Sequence, residues 1–196
     1  MEKTFPSMDK FLSMGMLPSP IDFQYYHLLN NKNTILINQS ISDSLVEYAI
    51  IPLMELDKDP DVEHITILLN TIGGDVYTGF ALISVLEQIT TPTTLRIVGE
   101  AASMGILIAM AKNLCLHVIC DKWSVGLLHL GDLIPEDDEE IDDAQWKFNS
   151  LYNEMVGEYV VSHTNMTFDY YQQIKDQEFW MNADTMKQLG IVDEII

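Results

Sequence analysis

The sequence is short of positive charge, of cysteine and of long apolar runs, and each shortage excludes something. Ten Lys and Arg stand against thirty Asp and Glu in 196 residues, a formal net charge of -20. A surface so acidic repels phosphate backbones and anionic lipid, so neither nucleic acid nor a membrane is expected as a partner. Cys115 and Cys120 are the only cysteines. Five apart in LCLHVIC, they would face opposite sides of a strand, which disfavours a disulfide. With no further cysteine in the chain they also make a poor zinc site, so buried thiols, no metal and no cofactor are expected. No apolar run approaches the roughly 20 residues that span a bilayer. The opening MEKTFPSMDKFLSMG lacks the continuous apolar core of a signal peptide. The expectation is a cytoplasmic protein. Its hydrophobic fraction of 47% suits one globular domain.

Patterning then divides the chain. Residues 1–30 carry Pro6, Pro18 and Pro20 and no sustained periodicity, which reads as an extended arm with one helical turn at most. Residues 31–196 read as a single domain. TILI at Thr34 is a short strand; SLVEYAIIPLMELDKD is helical behind a Ser42 or Asp43 cap, with a kink or break at Pro52. HITILLN is a strand closed by Gly73-Gly74, and a helix follows on Val76, Phe80 and Ile83. TTLRIVG, residues 114–120 and WSVGLLHL are further strands, with an apolar helix over 103–111 between the first two. Over 139–161, Ile141, Ala144, Phe148, Leu151, Tyr152, Met155, Val156, Tyr159 and Val160 share one helical face. A shorter helix covers 167–176, and another runs from an Asn182 cap to a Gly190 stop before a last strand, IVDEII. This alternation means an α/β layered domain with crossover connections. The one charge run is PEDDEEIDD, residues 135–143.

Three segments can carry chemistry. GEAASMGILIAMA sets Ser103 between small residues and an apolar helix, where unpaired backbone N–H groups converge and stabilise negative charge. Ser103 is a candidate nucleophile; the alternative is a plain helix cap. In NTIGGDVYTG, Gly73 and Gly74 end a strand with unobstructed N–H groups, suited to a phosphate or an oxyanion. The turn lacks the Lys of a phosphate-binding loop and the third Gly of a dinucleotide fingerprint. His129 ends VGLLHL beside Gly131, where an imidazole can serve as general base to a serine hydroxyl. The alternative is a satisfied core histidine. His27, His64, His117 and His163 are less suitably placed.

The order LLN-T-I-GG, G-E-AASMG, LLHLG, a long helix and a terminal LGIVD resembles the proteolytic subunit of the ATP-dependent Clp protease, from about Thr34 to Ile196. The resemblance implies a crotonase-like spiral of strand–helix units with a protruding long helix, a handle over about 132–164. It implies a serine endopeptidase acting on unfolded polypeptides through an acyl-enzyme, with Ser103 as nucleophile, His129 as base and the N–H groups of Gly74 and Met104 as oxyanion hole. The third member, usually Asp, falls on Glu178 in the register fixed by Gly190, with Asp176 as the alternative. It further implies a homo-oligomer of heptameric rings, usually stacked, and an ATP-driven unfoldase as partner. The sequence departs from the family at Thr71 and Ile72, at Leu130 and Gly131, and at Thr66 and Leu68, where members often carry aromatics that help dock the unfoldase. Two other readings remain: a catalytically weak or inactive structural ring subunit, and a crotonase-type acyl-CoA enzyme.

Overall fold

A computed structural model describes Ser13, residues 20–129 and residues 143–196. Along the chain run α1 (Pro20–Lys32), β1 (Thr34–Ile37), a π-helical turn (Val46–Ile50), α2 (Ile51–Lys58), β2 (Ile65–Thr71), α3 (Val76–Leu86) and β3 (Thr93–Ala102). Then come α4 (Met104–Ala109), β4 (Leu116–Cys120), β5 (Val125–Leu128), α5 (Asp143–His163), α6 (Phe168–Ile174), β6 (Phe179–Asn182), α7 (Ala183–Gln188) and β7 (Glu194–Ile195). The strands form one sheet in the order β1-β2-β3-β4-β7, all parallel. β5 branches off beside β3, and β6 runs antiparallel to β5.

Strand alternation sets the layers. In β2, Ile65, Ile67, Leu69 and Thr71 are buried while Thr66, Leu68 and Asn70 are half-buried, so one face turns inward under the helices. Leu95 and Ile97 of β3 and Val118 and Cys120 of β4 continue that face, and Leu82, Leu86, Ile106 and Ile108 pack within the same core. Burial raises the pKa of the Cys120 thiol, with Asp121 and Asp184 adding to it, so it is a packing group; both cysteines are free.

One irregularity positions everything that follows. β3 pairs with β4 from Thr93 to Ile97, then changes partner and pairs with β5 from Glu100 to Ala102. Against β2 the register slips between Leu69 and Thr71, so Asn70 faces a bulge at Val98–Glu100. Gly99 takes φ 111° there, and Asn70 fills the gap: its Oδ1 accepts from Glu100 N (3.1 Å) and its Nδ2 donates to Asn38 Oδ1 (2.6 Å). The sheet therefore forks just before Ser103.

The chain does not break at Pro52: the π-helical turn runs directly into α2 through helical Ile50 and Ile51, and Pro52 sits in the first turn of α2. Asn182 and Gly190 bound α7 as expected; the Asn182 side chain accepts from Thr185 N, and Gly190 has φ 70°. Pro20–Lys32 is helical, where the sequence suggested an extended arm. Pro20 opens this helix at a position where its missing N–H is harmless. The long helix is described from Asp143, so Ile141 and most of the acidic run lie outside the described residues. Of its expected inner face, Tyr152, Val156 and Val160 are buried, but Leu151 and Met155 are each 54% exposed. It packs on the body from Phe148 onward, where Phe148 stacks on Tyr77. There Phe80 meets the rings of Tyr152 and Tyr159, Tyr159 Oη donates to Leu107 O (3.1 Å), and His163 Nε2 lies 3.0 Å from Glu87 Oε1.

Candidate active site

In a parallel sheet the C-terminal strand ends and the turns after them form the natural crevice. Here β2 delivers Gly73-Gly74, β3 delivers Ser103 and β5 delivers His129 to that end. Ser103 occupies the single residue between β3 and α4, with φ 53° and ψ -121°. That combination lies outside the regions open to an L-residue without strain, which is of order 1–3 kcal/mol. Such a sharp strand-to-helix turn lifts a serine side chain clear of the sheet. The hydroxyl makes no cap bond to α4, so the plain helix-cap reading does not describe it. The Ser103 backbone is pinned instead, its N–H donating to Leu127 O of β5 at 2.9 Å.

The glycine turn is built around this serine. A Cβ on Gly73 would stand 2.6 Å from Ser103 Cβ, 2.6 Å from Ala102 O and 2.9 Å from Met104 N. Gly73 has φ 93° and Gly74 φ 144°, so both the conformation and the space require glycine. Thr71, substituted relative to the resemblance, locks the turn: its Oγ1 accepts from Gly73 N (3.1 Å) and donates to Gln39 O (2.7 Å). Ile41 holds the other side through Ile41 N to Gly73 O and Asp75 N to Ile41 O, both 2.8 Å. Among the described residues, no acceptor takes the N–H of Gly74 or of Met104. Met104 follows the serine directly, and Gly74 follows the glycine that packs on it. α4 has six residues, so the local N–H groups, more than a long helix dipole, supply the positive potential.

His129 follows β5 and is half-buried. β5 pairs with β6 so that Leu127 faces Trp180 and Leu128 faces Phe179. Carrying that register one step further sets His129 opposite Glu178, and directly opposed residues project to the same face. Glu178 itself immediately precedes β6. Asp176 lies two residues back in a turn and engages Lys175 Nζ with both oxygens at 2.7 Å. No hydrogen bond joins Ser103 Oγ to His129 or His129 to Glu178 among the described residues; Glu178 Oε2 accepts from Trp180 Nε1 at 3.4 Å. The other histidines sit elsewhere: His64 beside Thr94, His117 between Asp193 and Glu194, His163 against Glu87, and His27 next to Asn31. Among the described residues, no group of three or more His, Cys, Asp or Glu is arranged to hold a metal ion. No described helix is long and apolar enough to cross a membrane.

A mixed α/β domain with a mostly parallel sheet, a spiral of strand–helix units and a long projecting helix is the crotonase-like fold. Within that class the family model for Clp protease matches residues 20–196, and the chain belongs to the Clp protease family. The match reaches back to Pro20 and so takes in α1, beyond the Thr34 start of the motifs. Members of this family are in general serine peptidases that form ring oligomers and work with ATPases. Sequence reading missed β6, the strand that begins just after Glu178; its only signal was the short β-prone FWM.

Proposed function

We propose that the chain is a serine endopeptidase subunit that cleaves unfolded polypeptides through an acyl-enzyme on Ser103. The observation that carries this reading is the strained Ser103 turn, with an uncapped hydroxyl packed against the Gly73-Gly74 loop. In the reaction Ser103 Oγ attacks the scissile carbonyl carbon while His129 accepts the hydroxyl proton. The carbonyl oxygen becomes an oxyanion and receives the N–H groups of Gly74 and Met104, which need little reorganisation because Thr71, Ile41 and Leu127 already fix their backbone. Collapse breaks the C–N bond, and His129 returns its proton to the leaving amine. Water, deprotonated by His129, then hydrolyses the ester and restores Ser103. Glu178 orients the imidazole and stabilises the imidazolium; its place across the β5–β6 register supports it over Asp176.

The exposed apolar residues of α5, Trp146, Leu151 and Met155, suit contact with further copies of the chain in a ring assembly. Folded substrates then require an ATP-driven unfoldase, and the assembly acts in the cytoplasm. Hydrolysis of short fluorogenic peptides by the purified chain, lost in Ser103→Ala, tests the reading. A second reading, a catalytically weak ring subunit, is favoured by Trp180, whose indole holds Glu178 Oε2. Under that reading the peptides survive in the presence of the assembled ring.

A further inference from the structure

A cleft of about 250 Å³ opens beside the glycine turn, lined by Asn38, Gln39, Asn70, Thr71, Ile72 and Glu100. It lies one layer from the nucleophile. Thr71 forms its wall and also faces the first turn of α4, where a Cβ on Gly105 would meet Thr71 Cγ2 at 2.5 Å. Thr71 Oγ1 holds Gly73 N, and Gly73 packs on Ser103 Cβ. Ile72, the residue before Gly73, is 66% exposed at the rim of the cleft.

The polar floor is fixed in advance. Asn38 and Asn70 are bonded to each other, and Asn70 holds the Glu100 backbone, so the bulge sets Glu100 in the lining. Among the described residues, no cation or hydrogen-bond donor pairs with the Glu100 carboxylate. Arg96, on the same strand, is taken by Asp121 at 2.6 Å. A half-buried carboxylate with amide oxygens near it and an apolar rim suits a long aliphatic stem ending in a cation.

We infer that this cleft is a specificity pocket for a lysine or arginine side chain within two residues of the scissile bond, with Glu100 as its recognition carboxylate. The inference rests on the peptidase reading of Ser103 for its position in the reaction, but binding alone tests it. Peptides carrying lysine or norleucine, which has the same stem without the ammonium, at each of the two positions on either side of the scissile bond are titrated calorimetrically into the Ser103→Ala chain. At one position lysine binds about tenfold tighter than norleucine, and the preference shrinks in high salt. Glu100→Gln brings that ratio to about one, and Glu100→Lys makes a glutamate peptide bind tighter than its glutamine counterpart at the same position. A ratio near one at every position, or a ratio unchanged in both Glu100 variants, overturns the inference. A lysine preference that depends on Glu100 in a chain whose Ser103 never acylates would sink the peptidase reading and leave the pocket standing.

Discussion

Gly73→Ala is the sharpest perturbation of the site because it removes no group that does chemistry. The added Cβ falls 2.6 Å from Ser103 Cβ and from Ala102 O and 2.9 Å from Met104 N, where ordinary contact begins at 3.4 Å. Two of these three neighbours are backbone atoms, so no side-chain rotation relieves the overlap. Gly73 also has φ 93°, which an alanine tolerates poorly. The Ser103 turn and the Met104 N–H must therefore move away by roughly 0.8 Å, the shortfall of the closest contacts. Displacements of about 1 Å in a reacting geometry cost about 100-fold in rate. The expected result is an acylation rate at Ser103, read with a fluorophosphonate, about 100-fold below that of the parent chain. Stability should fall by about 1–3 kcal/mol, with the fold retained by circular dichroism. A Gly73→Ala chain that acylates within about threefold of the parent would refute the claim that this turn is built around the nucleophile.

Glu178→Gln should lower kcat at least about 100-fold with KM little changed, while Asp176→Asn stays within about twofold; the reverse pattern would move the orienting role to Asp176. Asp57 joins α2 to the turn before β3 by accepting from Thr90 N (2.9 Å), Thr91 N (2.7 Å) and Thr90 Oγ1 (3.1 Å). Burial opposes its ionisation, but these bonds outweigh it and hold the carboxyl below its ordinary 3.8. A lowered folded value means the stabilisation is complete above the unfolded pKa and disappears as pH falls through the folded one. Asp57→Asn should thus cost about 1 kcal/mol in urea unfolding at pH 7, the site being partly open to water, and progressively less below about pH 4. The run PEDDEEIDD would repel its copies across a symmetric interface, so sedimentation should show ring pairing strengthening with salt or with falling pH.

What was legible in the sequence was whatever local pattern encodes. The β-rich apolar run HITILLN marked β2, the glycine pair marked its turn, and the small-residue run before an apolar helix marked Ser103. The positive φ at Ser103 was not legible, because it is imposed by β5 and the glycine turn from outside the segment. β6 was hidden because four residues carry little periodicity and its pairing with β5 lies some fifty residues away in the chain. Helix α1 was obscured by its mixed polar and aromatic sequence, and by Pro20, whose helix-opening role resembles a break when read alone. Leu151 and Met155 of α5 share the periodicity of its buried residues, and periodicity does not say which of them the body will cover.

The central claim is that Ser103 is an activated nucleophile, and mass-mapped fluorophosphonate labelling of the purified chain tests it most directly. The account predicts a single adduct on the peptide that contains Ser103, absent in Ser103→Ala and formed far more slowly in His129→Ala. An adduct on another serine, no adduct in the assembled ring, or labelling that ignores the loss of His129 would contradict it.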